Sequence, residues 1–310
     1  MSLRGALLSF RIQRFETTII VGAAVLSVAV SAVVIWAFTS SGFARCQVDD
    51  PSALGSLCMT GLYPWLSRIA RLSVGIVPIF PVVAGLLAGG PIVAKELEAG
   101  TARLAWSLGP SRLRWLGQRA LPILLMVALA ALAIGLTSEA LMHLLSPSID
   151  LDQSFAGFRA RGLLIGVEAV LVASIALAFG AILGRAIPTL VLSLILVGAI
   201  GIAVDKVERE LLTNEAQISA GDSFSWDNNL YLDGRMRMPD GQILTYQEMI
   251  ALHPELDYGW DESSGISNVV LYIPGSRYHE VERREAAALL VLAVGFGALA
   301  TVAVLRRRPR

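Results

Sequence analysis

Apolar residues dominate six stretches of the chain, at about 17–38, 72–93, 117–140, 162–184, 187–204 and 286–305, with polar or charged residues between them. Each is roughly 18–24 residues long, enough to cross a hydrocarbon core about 30 Å thick as an α-helix. In lipid the backbone must satisfy its own hydrogen bonds, so the pattern predicts six transmembrane helices. Pro78, Pro81 and Pro91 fall inside the second stretch and predict kinks there. Glu168 interrupts the fourth stretch, and Glu139 lies near the outer end of the third. A carboxylate at such depth is costly and usually faces a bundle interior or a wet cavity. Both acids are read either as pathway or gating groups or as hydrogen-bonded packing residues.

Ahead of the first stretch, Leu3, Ala6, Leu7 and Phe10 follow helical spacing, with Arg4, Arg11 and Arg14 on another side. This predicts an amphipathic N-terminal helix in the membrane interface; the alternative is a basic flank that only sets topology. The apolar run that follows is too long for the core of a signal peptide and reads as a retained span. Basic residues at the ends of the short loops (Lys95, Arg103, Arg112, Arg114, Arg119, Arg185 and the RRRPR tail) place both termini in the cytoplasm of a multi-pass cell-membrane protein. Cys46 and Cys58 then share the first outer loop. They form either a disulfide contributing about 2–3 kcal/mol or two unpaired thiols.

Composition narrows the class. Of 310 residues, 55% are hydrophobic and 16% charged, well below the quarter usual in soluble domains. The net charge of zero is uninformative, because placement matters more than the sum in a membrane protein. The lipid bilayer is an obligatory partner, and nothing predicts a nucleic-acid partner. There is no phosphate-binding G-x-x-x-x-G-K-[ST] loop, no H-E-x-x-H and no G-x-S-x-G. His143, His253 and His279 are scattered. No catalytic residue, metal ligand or cofactor is assigned; a membrane enzyme with an unmarked site would show turnover without ATP.

Residues 205–285 are polar and aromatic and read as a small α+β extracytoplasmic segment. "MRMPDGQILTY" predicts a hairpin turning at Pro-Asp-Gly, and "TYQEMIALH" a short capped helix. Asp257, Asp261 and Glu262 form an acidic cluster, read as a solvated rim or a calcium site. The expected organisation is therefore 1–204 (N-terminal helix, five spans and a loop at about 94–115), 205–285, and 286–310 with the sixth span and basic tail. The fold class is an all-α integral membrane bundle of six helices.

The loop between spans two and three is the most informative stretch. Gly100 predicts a helix stop, Thr101 and Ser111 predict N-caps, and Gly109–Pro110 ends the short helix between them. That helix shows Leu104, Trp106 and Leu108 beside Arg103 and flanking acids, a surface suited to another protein's cleft; the alternative is a solvated loop with an interfacial Trp. "VAKELEAGTARLAWSLGPSRLRWLGQR" resembles the inner loop of type-2 ATP-binding-cassette (ABC) exporter permeases. The resemblance lies in an E-x-E-x-G-T segment followed by a S-x-x-x-S-R-x-R-W turn: Glu96, Glu98, Gly100, Thr101, Ser107, Ser111, Arg112, Arg114 and Trp115. "YIPGSRYHEVERREAAALL" is similar to the segment before span six in actinobacterial members, implying a bacterial source.

The resemblance implies a coupling helix at 101–108 resting on a separate ATPase subunit, with Glu96, Glu98, Gly100, Thr101, Arg103, Trp106, Ser111 and Arg112 as coupling residues. "GRAIP" at 184–188 would be a second, smaller contact. It implies two copies of the ATPase, which bind ATP and Mg, and a second permease copy or a related permease. The expected function is export of a hydrophobic or amphipathic compound (drug, lipid or peptide). The alternative is a non-transporting assembly or signalling subunit docked to an ATPase.

Overall fold

A computed structural model describes residues 10–11, 13–40, 61–108, 111–221, 224–226, 228–254 and 265–307. The N-terminal amphipathic helix (for residues 1–9), Cys46, Cys58 and the cluster Asp257, Asp261 and Glu262 lie outside the described residues, as does the Arg103 side chain. In chain order the helices are α1 (Arg14–Ser40), α2 (Leu62–Ile76), α3 (Ile79–Glu98), α4 (Thr101–Leu108), α5 (Arg112–Leu145), α6 (Leu164–Leu183), α7 (Ala186–Thr213), α8 (Tyr246–Leu252) and α9 (Tyr278–Arg306). Among the described residues, α1, α3, α5, α6, α7 and α9 are the six long and apolar enough to cross a membrane. The chain forms two compact units: residues 1–147, 157–200 and 282–310, and residues 148–156 with 201–281.

The first unit is built around α3 and α6. About 61% and 72% of their apolar windows are buried, against 11% for α7 and 22% for α1 and α9. The α3–α6 pair is therefore the core, and the other three turn apolar faces outward. Small residues make the pair possible. A Cβ on Gly85 would lie 2.7 Å from Val172 Cβ, and one on Gly180 would lie 2.9 Å from the Gly90 carbonyl oxygen. A Cβ on Gly89 would strike the Ala173 backbone. In lipid, with little hydrophobic drive between helices, such close approach is what holds them together. Ile123, Val127 and Ile134 of α5 complete this core with Ile165 and Leu177 of α6 and Ile20 of α1.

The expected second span at 72–93 is two helices, α2 and α3, parted at Val77–Pro78. Pro78 and Pro81 have no N–H to give to the carbonyls of Val74 and Val77, four residues back. Those carbonyls are instead taken by the N–H groups of Val77 (3.2 Å) and Phe80 (3.1 Å), in tighter three-residue turns. The two carbonyls freed by proline thus keep donors where the helix is interrupted. Pro91, by contrast, lies inside α3. On α2, Ala70 packs with Val34 and Phe38 of α1 and Leu141 of α5. Tyr63 meets the Phe38 ring edge-on at 5.7 Å.

The second unit holds a four-stranded antiparallel sheet of order β1-β4-β2-β3: β1 (Gln217–Ala220), β2 (Leu230–Arg237), β3 (Ile243–Leu244) and β4 (Ser267–Ile273). The hairpin is at the predicted place: Met236 pairs with Leu244 and Arg237 with Ile243. Gly241 has φ +85°, a left-handed position that glycine occupies without a Cβ clash. A bulge lies between Tyr231 and Asp233. Residues 148–156 also belong to this unit: the Phe155 N–H donates to the Asn228 carbonyl (3.1 Å), and its ring meets Tyr278 at 5.7 Å.

α8 starts at a capping box. The Thr245 hydroxyl accepts from the Glu248 N–H, and the Glu248 carboxylate accepts from the Thr245 N–H at 2.8 Å. These bonds from the Thr245 backbone and hydroxyl hold the Glu248 carboxyl below the usual carboxylate range. A depressed folded-state pKa adds stability above the unfolded value of about 4.3 and loses it as pH falls through the lower one. Hydrogen exchange on the full chain should show faster exchange of the first-turn α8 amides in acid, and the Glu248→Gln variant should remove that pH dependence.

Candidate coupling site

The loop after α3 is punctuated by its backbone. Gly100 has φ +73°, the left-handed conformation common just past a helix end, and its N–H reaches the Leu97 carbonyl at 3.2 Å. α4 then runs for eight residues, about 12 Å. Thr101, expected as its N-cap, is the first helical residue, and its hydroxyl donates to the Glu96 carbonyl at 3.4 Å. Ser111 does cap α5, its hydroxyl accepting from the Arg114 N–H at 3.2 Å.

Four charged side chains of the loop, Lys95, Glu96, Glu98 and Arg112, turn toward other helices. Lys95 pairs with Glu16 of α1, whose side chain is buried. Glu96 pairs with Arg119 of α5, and the Arg119 guanidinium lies 5.1 Å over the Trp115 ring. The Glu98 carboxylate accepts from the Ala186 N–H at 3.1 Å. That amide opens α7, where N–H groups have no intrahelical partner and the dipole favours negative charge. Arg112 donates to the carbonyls of Leu305 (3.1 Å) and Arg307 (2.6 Å), at the last turn of α9, where carbonyls and dipole favour a cation. Lys95, Glu96, Glu98 and Arg112 thus reach α1, α5, α7 and α9 respectively.

The two indoles form the inner side of the loop. Trp106 meets Trp115 edge-on at 5.8 Å, and the Arg112 guanidinium lies 4.9 Å from the Trp106 ring centre. Trp106 packs on the main hydrophobic core, and Ala102 is buried. Among the described side chains of α4, the exposed ones form a stripe at three-residue spacing: Thr101, Leu104 and Ser107. Leu104 is 64% exposed.

A model of the family described as ABC-2 membrane transporter related matches residues 17–209, more than half of the chain. The chain belongs to this family. It is a multi-pass ABC-2 type permease subunit, a non-catalytic membrane component of a kind that pairs with ATPase subunits. No curated protein and no solved structure matches it.

The permease carries a second set of charges at the opposite ends of α5, α6 and α9. Glu139 lies 4.0 Å from Arg161, whose side chain is almost fully buried. Arg159 pairs with the buried Glu285 at 2.5 Å. Glu282 accepts the Leu163 N–H at 2.7 Å, at the start of α6. Glu168 is half-buried on α6. The sequence pattern points to Glu139 and Glu168 but gives no sign of the roles of Arg159, Arg161, Glu282 and Glu285. It also missed Glu16 and Arg307. The one signal for Glu16 was an acid standing in an otherwise basic flank.

Proposed function

We propose that this permease exports a hydrophobic or amphipathic compound, driven by ATPase subunits that dock on the exposed stripe of α4. The observation that carries this reading is the division of labour in the loop. Lys95, Glu96, Glu98 and Arg112 are engaged with other helices, while Thr101, Leu104 and Ser107 face outward. In this reading Glu96, Glu98 and Arg112 tie the loop to the bundle, Gly100 and Ser111 set its corners, and Thr101, Arg103 and Trp106 shape the docking helix. The loop end and both termini face the cytoplasm. Residues 205–285 form the extracytoplasmic segment, and residues 1–204 and 286–310 the membrane part. Two ATPase copies serve two permease copies, or this permease and a related one. Glu168 and Glu139 are assigned to the pathway or its gate, and the hydrophobic cargo is inferred from the apolar, Gly- and Ala-rich spans. The bacterial, actinobacterial-like assignment rests on the "YIPGSRYHE" segment.

The test is affinity purification of the tagged chain from native membranes in mild detergent. An ATPase should be recovered near one-to-one. Leu104→Asp puts a charge at the centre of the docking stripe without touching a buried group. It should cut ATPase recovery at least about tenfold, a loss of about 1.4 kcal/mol or more in binding, at unchanged permease yield. Equal recovery by the variant and the unaltered chain rules out α4 as the docking helix.

A further inference from the structure

α4 is joined by the chain to α3 and α5, and the first residue of α5 carries a polar tether that leads elsewhere. Arg112, at the corner between α4 and α5, reaches across 193 and 195 positions of sequence to the Leu305 and Arg307 carbonyls. The Val304 carbonyl lies 3.5 Å from the same nitrogen. The guanidinium is always charged and its Nη1 carries two N–H groups, so that one nitrogen can donate to both carbonyls of the helix end. The guanidinium also lies against Trp106, attracted by the negative ring face. Trp106 belongs to α4 itself.

The link does not stop at α9. Arg307, whose carbonyl Arg112 holds, sends its own guanidinium to the Ile182 carbonyl at 2.9 Å, in the last turn of α6. A Cβ on Gly184 would lie 2.7 Å from that guanidinium, so glycine here leaves the room the contact needs. The series is contiguous: Trp106 of α4, Arg112, the end of α9, Arg307, the end of α6.

We propose that Arg112 is a positioning residue that locks the α4–α5 corner to the end of the last span. A displacement of α4 then enters α9 and α6 directly, as well as the neighbouring helices α3 and α5. This deepens, and rests on, the reading of α4 as the coupling helix. Arg112 acts here through the last span and need not touch the ATPase.

The test uses the full chain with its co-purified ATPase in nanodiscs. Spin labels replace two exposed residues, Leu113→Cys on α5 and Leu305→Cys on α9, with Cys46 and Cys58 changed to Ser. The inter-label distance should be narrow and the same in nucleotide-free and ATP-trapped states. With Arg112→Ala it should broaden and become nucleotide-dependent, while ATPase recovery stays at the unaltered level. Arg112→Lys keeps a charged donor but not the planar group that lies on Trp106, and should give an intermediate width; it also serves if Arg112→Ala does not accumulate. A residue that only stabilised the fold would alter yield or melting but not the response to nucleotide. A distance that changes with ATP in the unaltered protein overturns the lock, as does an Arg112→Ala distance that stays narrow and unresponsive. Loss of the ATPase from the unaltered chain sinks the coupling-helix reading instead, so the two failures are distinct.

Discussion

Gly89→Leu is expected to abolish stable packing of α3 on α6. A Cβ at this position runs into the Ala173 backbone, which has no rotamer by which to move aside. Gly85, one turn away, is nearly as tight against Val172 and the Ala169 carbonyl. The helices must therefore separate along the whole contact or stay apart. Overpacking a well-filled core costs about 1–3 kcal/mol when side chains can adjust. Here backbone meets backbone, so the cost belongs at or beyond the top of that range. The variant should lose its monodisperse peak in detergent or melt many degrees lower. Gly22→Leu is the control, because nothing lies within 4 Å of its added Cβ. Equal melting of the two variants would remove the α3–α6 interface as the centre of the bundle.

The second large effect concerns Arg159, which pairs with buried Glu285 from a backbone with φ +66°. Two terms oppose each other. A left-handed arginine costs about 1–2 kcal/mol, which glycine would recover. Breaking a buried pair by removing one partner costs about 3–5 kcal/mol. The Arg159 side chain is about a quarter exposed, so solvent screening brings the pair to the lower end of that range. Arg159→Gly should still destabilise, by about 1–2 kcal/mol as the difference of the two. Arg159→Ala, which loses the pair and keeps the strain, should destabilise more. Glycine more stable than arginine in thermal melts would show that the pair contributes less than the strain costs.

Hydropathy made the spans legible, because a run of about 20 apolar residues has few other uses. Their ends were less so. α5 extends from Arg112 to Leu145 and α7 to Thr213, well beyond the apolar windows, because polar helical turns continue where the backbone is wet. The interruption at Val77–Pro78 followed from proline chemistry, but its placement depended on which carbonyls could find new donors. Gly100 and Ser111 were readable since their roles are local. Thr101, expected as the cap, is the first helical residue, because whether such a residue caps or follows the cap depends on one residue of helix boundary. The partners of Lys95, Glu98 and Arg112 lie 79, 88 and up to 195 residues away. No spacing rule reaches that far. The loop motif could be recognised, but not the direction in which its charges point.

That direction bears on protein engineering. A loop whose ions are matched to Glu16, Arg119, the first amide of α7 and the tail of α9 is not a portable module. Chimeras that transplant residues 95–112 alone into a related permease would strand each charge opposite a stranger. Retargeting this permease to a foreign motor calls for changing the outward stripe of α4 and leaving the inward ions in place.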